Sequence, residues 1–281
     1  MHKPTDFFEV RVHDLSLDPG LTGLCVGYEL GEWRYDGLVD HLMEWMPEFC
    51  LTYEEITTLD SGNMISLMRE AFRKLYTSGK FKNRGEFGEL MLHAAIRQVF
   101  GSLPAISKIY YKSAANNTVK GFDAVHVVPN GQNLELWLGE VKFYKDLNGA
   151  IRDVVEELDD HTNKDYLRDE FLLIKGKIDS SWPHAQELER LLDPNVSLDT
   201  VFQQVVIPVL LTYESNAVDS FSNCSDEYKA VFEEEIVKNH GKFAGKALPK
   251  NVVIQLFLVP LKNKEELVTK LDEKLKTWQA L

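Results

Sequence analysis

The clearest pattern of apolar and polar residues lies near the middle of the chain. Residues 122–128 and 134–144 are rich in β-branched and aromatic side chains, and the Pro-Asn-Gly-Gln stretch at 129–132 supplies a turn between them. This combination predicts a β-hairpin. Because successive side chains of a strand point to opposite faces of the sheet, a charged residue at every second position marks one face.

Three charged residues fall on this predicted hairpin. Glu140 and Lys142 are two positions apart and project to the same side of the second strand. Asp123 begins the partner strand and can lie beside them. Two carboxylates and a lysine on one sheet surface indicate a divalent-cation site with an adjacent positive charge, which is suited to phosphodiester hydrolysis.

Periodicity elsewhere predicts alternating helices and strands. Pro47 is expected to stop the first helix, and Pro208 is expected to place its strand at a sheet edge or a bulge. A helix after residues 60–62 has Ile65, Met68, Phe72 and Leu75 on its apolar stripe. The other predicted helices are 33–46, 85–100, 150–158, 186–192, 227–238 and 264–278, and the other strands are 7–13, 24–29, 106–111, 205–213 and 252–259.

This order of elements fits a mixed α/β fold, in which a mixed sheet is flanked by helices. At 281 residues the chain is long enough for one large domain or two small ones. We predict an N-terminal α+β elaboration over residues 1–78 and a second domain over 79–281. Neither part contains a low-complexity tract.

Composition narrows the classes of partner. A net charge of −13 argues mildly against broad nucleic-acid binding, because phosphate contacts need Lys and Arg. A local basic stretch before the hairpin nevertheless offers a nucleic-acid path, and residues 153–170 are strongly acidic. Either run alone is also explained as a solvated face. The path residues are Arg73, Lys74, Lys80, Lys82, Arg84 and Lys120.

Other bulk features bound the cellular context. The longest apolar runs are far shorter than the roughly 20 residues of a membrane helix, and the polar start is not followed by a signal-peptide core. Cys25, Cys50 and Cys224 are widely spaced and read as reduced thiols. We therefore expect a cytoplasmic protein without a membrane segment.

The Glu-x-Lys spacing carries little information by itself. Glu227 and Lys229 have the same spacing, but they lie in a predicted helix, where residues two apart do not face each other. For the hairpin, an ordinary surface ion pair worth less than about 1 kcal/mol is the competing interpretation. Apolar neighbours of Glu140 argue for a buried strand instead, and buried charges must be paired or bind a metal. Gly139 is expected to leave space there for a ligand or another backbone.

The helix predicted over 85–100 contributes two further carboxylates. Glu86 and Glu89 share one side of its first turns. Acidic residues at this end also stabilise a helix through its dipole, so these glutamates have a structural explanation as well. His93, His126 and His161 show no zinc-ligand spacing and are read as structural.

In combination, these segments resemble a known family. The sequences Arg-Gly-Glu-Phe-Gly-Glu-Leu-Met-Leu-His at 84–93, Gly-Phe-Asp at 121–123 and Leu-Gly-Glu-Val-Lys-Phe-Tyr at 138–144 are similar to the HamA family, the nuclease subunit of the bacterial Hachiman antiphage defence system. They also resemble the signature of the PD-(D/E)xK nuclease superfamily. One departure is that Asp123 follows Phe122 and not proline, which leaves the carboxylate in place.

The resemblance implies a restriction-endonuclease-like fold for residues 79–281 and a function in DNA cleavage. It implies that Asp123, Glu140 and the Val141 carbonyl bind Mg²⁺, with Mn²⁺ as a substitute, and that Lys142 orients the attacking water and stabilises charge on the phosphate. Glu89 or Glu86 would complete the site. It also implies a HamB-type helicase as partner. The alternative is a non-catalytic subunit that keeps a nuclease-like fold and binds DNA or a partner.

Overall fold

A computed structural model of the protein describes residues 3–74, 85–107, 121–131 and 133–280. Within them, a seven-stranded sheet has the order β1-β2-β9-β8-β7-β6-β5. A separate two-stranded ribbon pairs β3 with β4. The strands are β1 Glu9–Asp14, β2 Gly20–Cys25, β3 Tyr28–Glu29, β4 Glu32–Trp33, β5 Leu103–Pro104, β6 Ala124–Asn130, β7 Asn133–Phe143, β8 Val205–Glu214 and β9 Val253–Leu261.

Helices flank this sheet. The helix Gly85–Phe100, α4, packs against β6 and β7, and the helix that follows β7, α5 (Leu147–His161), packs against β7 and β8. The helices are α1 Tyr35–Cys50, α2 Tyr53–Thr57, α3 Met64–Lys74, α4 Gly85–Phe100, α5 Leu147–His161, α6 Lys164–Lys175, α7 Ala185–Leu191, α8 Leu198–Phe202, α9 Asn216–Ser220, α10 Asp226–Ala244 and α11 Lys264–Gln279.

The sheet is mixed, which confirms the predicted fold class. β2, β9, β8 and β7 run parallel to one another, whereas β1 is added antiparallel at one edge and β6 and β5 at the other. β8 and β9 are almost entirely buried and read as continuous apolar runs, as expected for parallel strands covered on both faces.

The predicted hairpin is β6 and β7. Its register pairs Asn130 with Asn133 and Ala124 with Gly139, and Gly131 turns the chain with φ at +64°. Alternation along β7 then separates two faces. Val141 and Phe143 face α4, whereas Glu140 and Lys142 face α5.

Close packing of α4 on β7 depends on glycine. A Cβ added at Gly88 would lie 2.7 Å from both the Phe143 Cβ and the Val141 Cγ1 atoms. A Cβ at Gly139 would lie 2.5 Å from the Leu92 Cδ2 atom. Gly139 therefore lets the helix approach the sheet, and the expectation that it leaves room for a ligand is wrong.

Both proline expectations are also wrong. Helix α1 continues to Cys50, with Pro47 inside its last turn. The Pro47 carbonyl accepts a hydrogen bond from the Leu51 amide at 2.9 Å, so the turn still closes. Pro208 lies in β8, an interior strand, where it is in register with Gln255 of β9. On the other side, the β7–β8 ladder lacks register pairs at Ile207 and Pro208, which accommodates the missing amide hydrogen without a bulge.

Two smaller differences concern the first half of the chain. Phe72 of the predicted apolar stripe on α3 is buried, but Ile65 is 61% exposed. The strand expected over 106–111 lies mostly outside the described residues, and the edge strand is instead β5, a few residues earlier.

The boundary between the two predicted domains stays a prediction. Residue 78 lies in the stretch 75–84, outside the described residues. On its N-terminal side, β1 and β2 form one edge of the seven-stranded sheet through the parallel pairing of β2 with β9. Of the helices in the described part, none has the length and apolar character needed to cross a membrane.

The tight contact at Gly88 gives a stability test. Gly88→Ala is expected to lower the free energy of unfolding by about 1–3 kcal/mol, because overpacking against β7 outweighs the helix propensity that alanine adds. Gly241→Ala is the matched control, because a Cβ at this position in α10 meets nothing within 4 Å. The control should gain up to about 1 kcal/mol. Denaturant unfolding measures the change in the free energy of unfolding for each variant relative to the wild type. Changes of the same sign in the two variants would contradict the packing argument.

Candidate active site

The charged face of β7 opens into a cleft of about 1010 Å³. Asp123, Glu140, Lys142 and Glu89 all line this cleft, so it brings these four predicted site residues together. In the part of the chain that the structure describes, its wall is acidic, with seven carboxylates and three lysines. The other lining residues are Gly85, Gly121, Val141, Phe143, Tyr144, Lys145, Asp146, Glu157, Asp160, His161, Lys264, Glu265, Val268 and Thr269.

Glu140 is the most deeply placed of the charged groups, with 2% of its surface exposed. Its Oε1 atom pairs with the Nδ1 atom of His161, at the end of α5. Burial raises the pKa of Glu140 to about 7, assisted by the nearby charges of Asp123 and Glu157 and opposed by the His161 hydrogen bond. Burial opposes a charge on His161 too, but the hydrogen bond and charge of Glu140 raise the pKa of that imidazole overall. The two groups therefore hold a proton between them up to neutral pH.

Lys142 is held by the same helix. Its Nζ atom pairs with the Oε2 atom of Glu157, which is half-buried one helical turn before His161. Burial alone would lower the pKa of Lys142, but the Glu157 hydrogen bond and charge raise it overall. Lys142 is therefore a cation in the cleft, oriented by Glu157, and is suited to stabilising negative charge.

Asp123 is clamped onto β7 from the residue before β6. Its amide donates to the Gly139 carbonyl at 2.7 Å, and its Oδ2 atom accepts from the Val141 amide at 2.9 Å. The preceding amide, of Phe122, donates to Glu170 Oε1 of α6 at 3.2 Å, and Glu170 is buried. These bonds place the Asp123 carboxylate beside the central residue of the Glu-x-Lys segment.

The two glutamates of α4 occupy different environments. Glu89 is buried and lines the cleft. Glu86 is half-exposed and is not among the lining residues. Of the two, Glu89 has the position from which a side chain can reach a ligand in the cleft.

The predicted nucleic-acid path is largely outside the described residues. Lys80, Lys82, Arg84 and Lys120 belong to undescribed stretches, and the side chain of Lys74 is likewise not described. Arg73 is exposed and does not line the cleft. Of the described lysines, those that line the cleft are Lys142, Lys145 and Lys264.

The chemistry of the donors fits a hydrated magnesium ion. Asp123 and Glu140 offer carboxylate oxygens, and Val141 offers a backbone carbonyl, all of which are hard ligands. In the described part, no three Asp, Glu, His or Cys ligand atoms of this cleft lie within 4.8 Å of one another. Mg²⁺ keeps several waters and commonly takes only one or two protein carboxylates, so this sparse set is compatible with it.

Several lining residues are not among the predicted site residues, and two of them, His161 and Glu157, pair with the charges of the Glu-x-Lys segment. The sequence analysis interprets His161 as structural, and Glu157 falls in the acidic run 153–170, which is also explained as a solvated face. The signal available was their spacing of four residues, which puts them on one helical face immediately after the Glu-x-Lys strand. That face packs over Glu140 and Lys142.

His93 and His126 are structural, as expected. The His93 Nδ1 atom lies 3.1 Å from the His126 Nε2 atom, and both rings are buried. Glu48 completes the network, because it accepts from Arg97 Nε at 2.6 Å and lies 3.2 Å from His93 Nε2. This buried polar network lies beneath α4, and none of its members lines the cleft.

Comparison with known proteins identifies relatives of the whole chain. A family model described as HamA matches residues 4–275. The chain is also similar to Anti-bacteriophage protein A of Escherichia coli (strain K12), with 24% identity over 270 residues. That alignment covers 89% of this chain but 46% of the relative, so the chain spans about half the length of that protein. Every residue lining the cleft falls within the family match.

The Glu140–His161 pair predicts a pH dependence of stability without divalent metal. The pKa of Glu140 is raised to about 7 in the folded state from an ordinary value of 4.5. Its contribution to the free energy of unfolding is therefore fully present below pH 4.5 and is lost as pH rises through 7. Thermal unfolding in a chelator should show lower stability at pH 8 than at pH 6, and each pKa unit corresponds to about 1.4 kcal/mol.

Glu140→Gln should remove most of this dependence, because the amide cannot titrate. Glu135→Gln is the control on the same strand, where Glu135 is half-buried and accepts from Asn130 and Trp137. The control should keep the wild-type dependence. A Glu140→Gln variant that loses as much stability between pH 6 and pH 8 as the wild type would contradict the assignment.

Proposed function

Because the chain belongs to the HamA family, we propose that it is a metal-dependent nuclease that hydrolyses DNA phosphodiester bonds as the effector of an antiphage defence system. The printed name of the Escherichia coli relative, Anti-bacteriophage protein A, supports the defence role. The observation that carries the nuclease proposal is the convergence of Asp123, Glu140 and Lys142 on one cleft.

Burial supports a functional role for this trio over a surface ion pair. Glu140 and Lys142 are both buried on a strand that lies between β6 and β8. A buried carboxylate with a raised pKa, beside a second carboxylate, stores repulsion that a bound cation relieves. Such perturbed groups concentrate at functional sites, although structural ion pairs also produce them.

The residues divide the proposed chemistry between them. Asp123 and Glu140, with the Val141 carbonyl, would hold Mg²⁺, or Mn²⁺ in its place, and Glu89 would complete the site through a water. The ion, when bound, supplies Lewis-acid polarisation of the phosphate and acidifies its bound water. Lys142 contributes a fixed positive charge where negative charge develops on the phosphate, and Glu157 keeps that ammonium oriented.

Lysines on the rim are the proposed contacts to the DNA backbone. Lys145 is exposed, and its ion pair with Glu265 at 3.9 Å is too open to hold it strongly. Lys264 lies with its Nζ atom 4.9 Å from the centroid of the Phe143 ring, which fixes the cation at the cleft. Phosphate contacts of this kind position a duplex or a single strand without reading its sequence.

A HamB-type helicase is the proposed partner. With a net charge of −13, the chain has little non-specific affinity for a polyanion, since that affinity comes from Lys and Arg. A helicase would bring DNA to the cleft and supply the missing affinity. Neighbouring genes encoding a helicase, together with co-purification of its product, would support this pairing.

One observation favours a second candidate function. Both residues of the Glu-x-Lys pair are already compensated by α5, Glu140 through His161 and Lys142 through Glu157. A cleft whose buried charges are already paired within the chain is also compatible with a non-catalytic subunit that binds DNA or a partner. Phage protection that survives Glu140→Ala in cells, with no cleavage by the purified complex, would favour this second function.

Cleavage assays test the nuclease proposal. Purified chain, alone and with its helicase, should cleave DNA only with Mg²⁺ or Mn²⁺. Lys142→Ala should reduce the rate by about 10²- to 10³-fold, because it removes a charge that stabilises the transition state. Asp123→Asn and Glu140→Ala should abolish metal-dependent cleavage.

Glu227→Ala and Lys229→Ala are matched controls. They alter a Glu-x-Lys segment in α10 that is not part of the cleft, and Glu227 is exposed. Both controls should cleave at the wild-type rate. Cleavage retained by Glu140→Ala and Lys142→Ala alike would overturn the proposed active site.

DNA binding tests the rim lysines separately from catalysis. In Ca²⁺, Lys145→Ala and Lys264→Ala should each weaken binding and make the slope of log affinity against log salt shallower by about 0.9 for duplex DNA. Lys238→Ala, an exposed lysine of α10, is the control and should leave the slope unchanged. Unchanged slopes in both rim variants would exclude these lysines as phosphate contacts.

A further inference from the structure

A second group of ligand-type side chains lies away from the cleft. Oxygen and sulfur atoms of Glu9, Cys25 and Cys224 all lie within 4.8 Å of one another. Both cysteines are free thiols. Cys25 is buried, Cys224 is half-buried and Glu9 is exposed, so the cluster reaches from the core to the surface. None of the three lines the active-site cleft.

The fold brings these residues together from distant parts of the chain. Glu9 at the start of β1 and Cys25 at the end of β2 are register partners in the antiparallel pair. Cys224 lies in the loop between α9 and α10, directly before Ser225, which caps α10. Gly27, just after β2, lies next to the Cys224 sulfur and has φ at +80°, a backbone conformation that favours glycine.

From this geometry we propose that Glu9, Cys25 and Cys224 form a zinc-binding site. Two thiolates and one carboxylate are a ligand set that zinc accepts, with water as the fourth ligand of a tetrahedron. With Zn–S bonds of about 2.3 Å, tetrahedral ligand atoms are separated by less than 4 Å, so a small contraction of the observed cluster is sufficient. Thiolates are soft ligands, which select zinc over the magnesium proposed for the cleft.

Neighbouring groups are placed to support the ligands. The Tyr228 hydroxyl lies 3.2 Å from the Cys25 sulfur and can donate to it as a thiolate. Arg11 Nη1 donates to Glu9 Oε1 at 2.8 Å, which leaves the other carboxylate oxygen for the metal. Hydrogen bonds of this kind orient metal ligands and tune their basicity. Binding releases one proton from each thiol to the solvent, so the charges balance as two thiolates form two Zn–S bonds.

The consequence of such a site is structural. It ties the edge strands β1 and β2 to the loop that begins α10, and α10 itself packs on both strands. The metal would therefore link residues near the N-terminus to a segment about 200 positions later. This role is independent of the proposed nuclease activity.

Metal content of the purified full-length chain tests the proposal. The wild type, after equilibration with zinc under reducing conditions and removal of free metal, should retain about one zinc ion per chain. Cys224→Ala should retain almost none, and Glu9→Gln should retain less. Cys50→Ala is the matched control, since Cys50 lies outside the cluster. Glu140→Ala should also keep its zinc, which separates this site from the cleft.

Cobalt substitution gives a second readout that needs no activity. Co²⁺ bound by the two cysteines should produce an intense thiolate-to-cobalt charge-transfer absorption, absent in Cys224→Ala and present in Cys50→Ala. Circular dichroism verifies that each variant is folded. Zinc retained in full by folded Cys224→Ala, or a wild type that binds neither zinc nor cobalt, would overturn the proposal. Detection of a native Cys25–Cys224 disulfide by mass spectrometry under non-reducing conditions would also overturn the zinc site, because the two cysteines would then be a redox pair.

Discussion

The arrangement of the molecule depends on the need to compensate two charges on an interior strand. Glu140 and Lys142 lie on β7, between β6 and β8, where neither can be solvated freely. A buried charge without a partner is strongly unfavourable, and pairing it is what makes such a strand possible. Helix α5 supplies both partners, His161 and Glu157, from a single face. The position of α5 over β7 is therefore an electrostatic requirement as much as an apolar packing contact.

The opposite face of β7 obeys a different constraint. There α4 approaches so closely that Gly88 and Gly139 have no room for a Cβ. Since strand alternation assigns odd positions to this face and even positions to the α5 face, packing and charge are separated residue by residue. A shift of the β6–β7 register by one residue would turn the Glu140 side chain toward α4 and the Val141 side chain toward α5. The Asp123 bonds to Gly139 and Val141 oppose such a shift.

Sequence patterns predicted the parts of this arrangement that follow from local periodicity. The hairpin, the shared side of Glu140 and Lys142, and helices such as α4 and α11 are readable because alternation and helical spacing need only neighbouring residues. The expectations for Pro47 and Pro208 were wrong because they considered only the backbone hydrogen bond that each proline removes. The tertiary packing that keeps each element in place despite that loss cannot be read from neighbouring residues. Ile65 was misplaced for a similar reason, since helical spacing identifies a stripe but not the element that covers it.

His161 and Glu157 show the same limit at the site itself. In an acidic helix, a glutamate and a histidine four residues apart are typical of a solvated face. Only the packing of that helix over two buried charges gives them a role.

The charge balance of the cleft connects the proposed metal site with the proposed partner. Among the described residues, seven carboxylates and three lysines line the wall, and this part of the surface repels a polyanion before any contact forms. On the proposed function, divalent cations reduce this repulsion at Asp123 and Glu140, where the reaction takes place. They do so only within about 10 Å at ordinary ionic strength, because ionic screening limits their field at longer range. The remaining repulsion would act along the rest of a bound DNA, and the proposed helicase partner, by holding the strand itself, would supply the attraction that this acidic chain lacks.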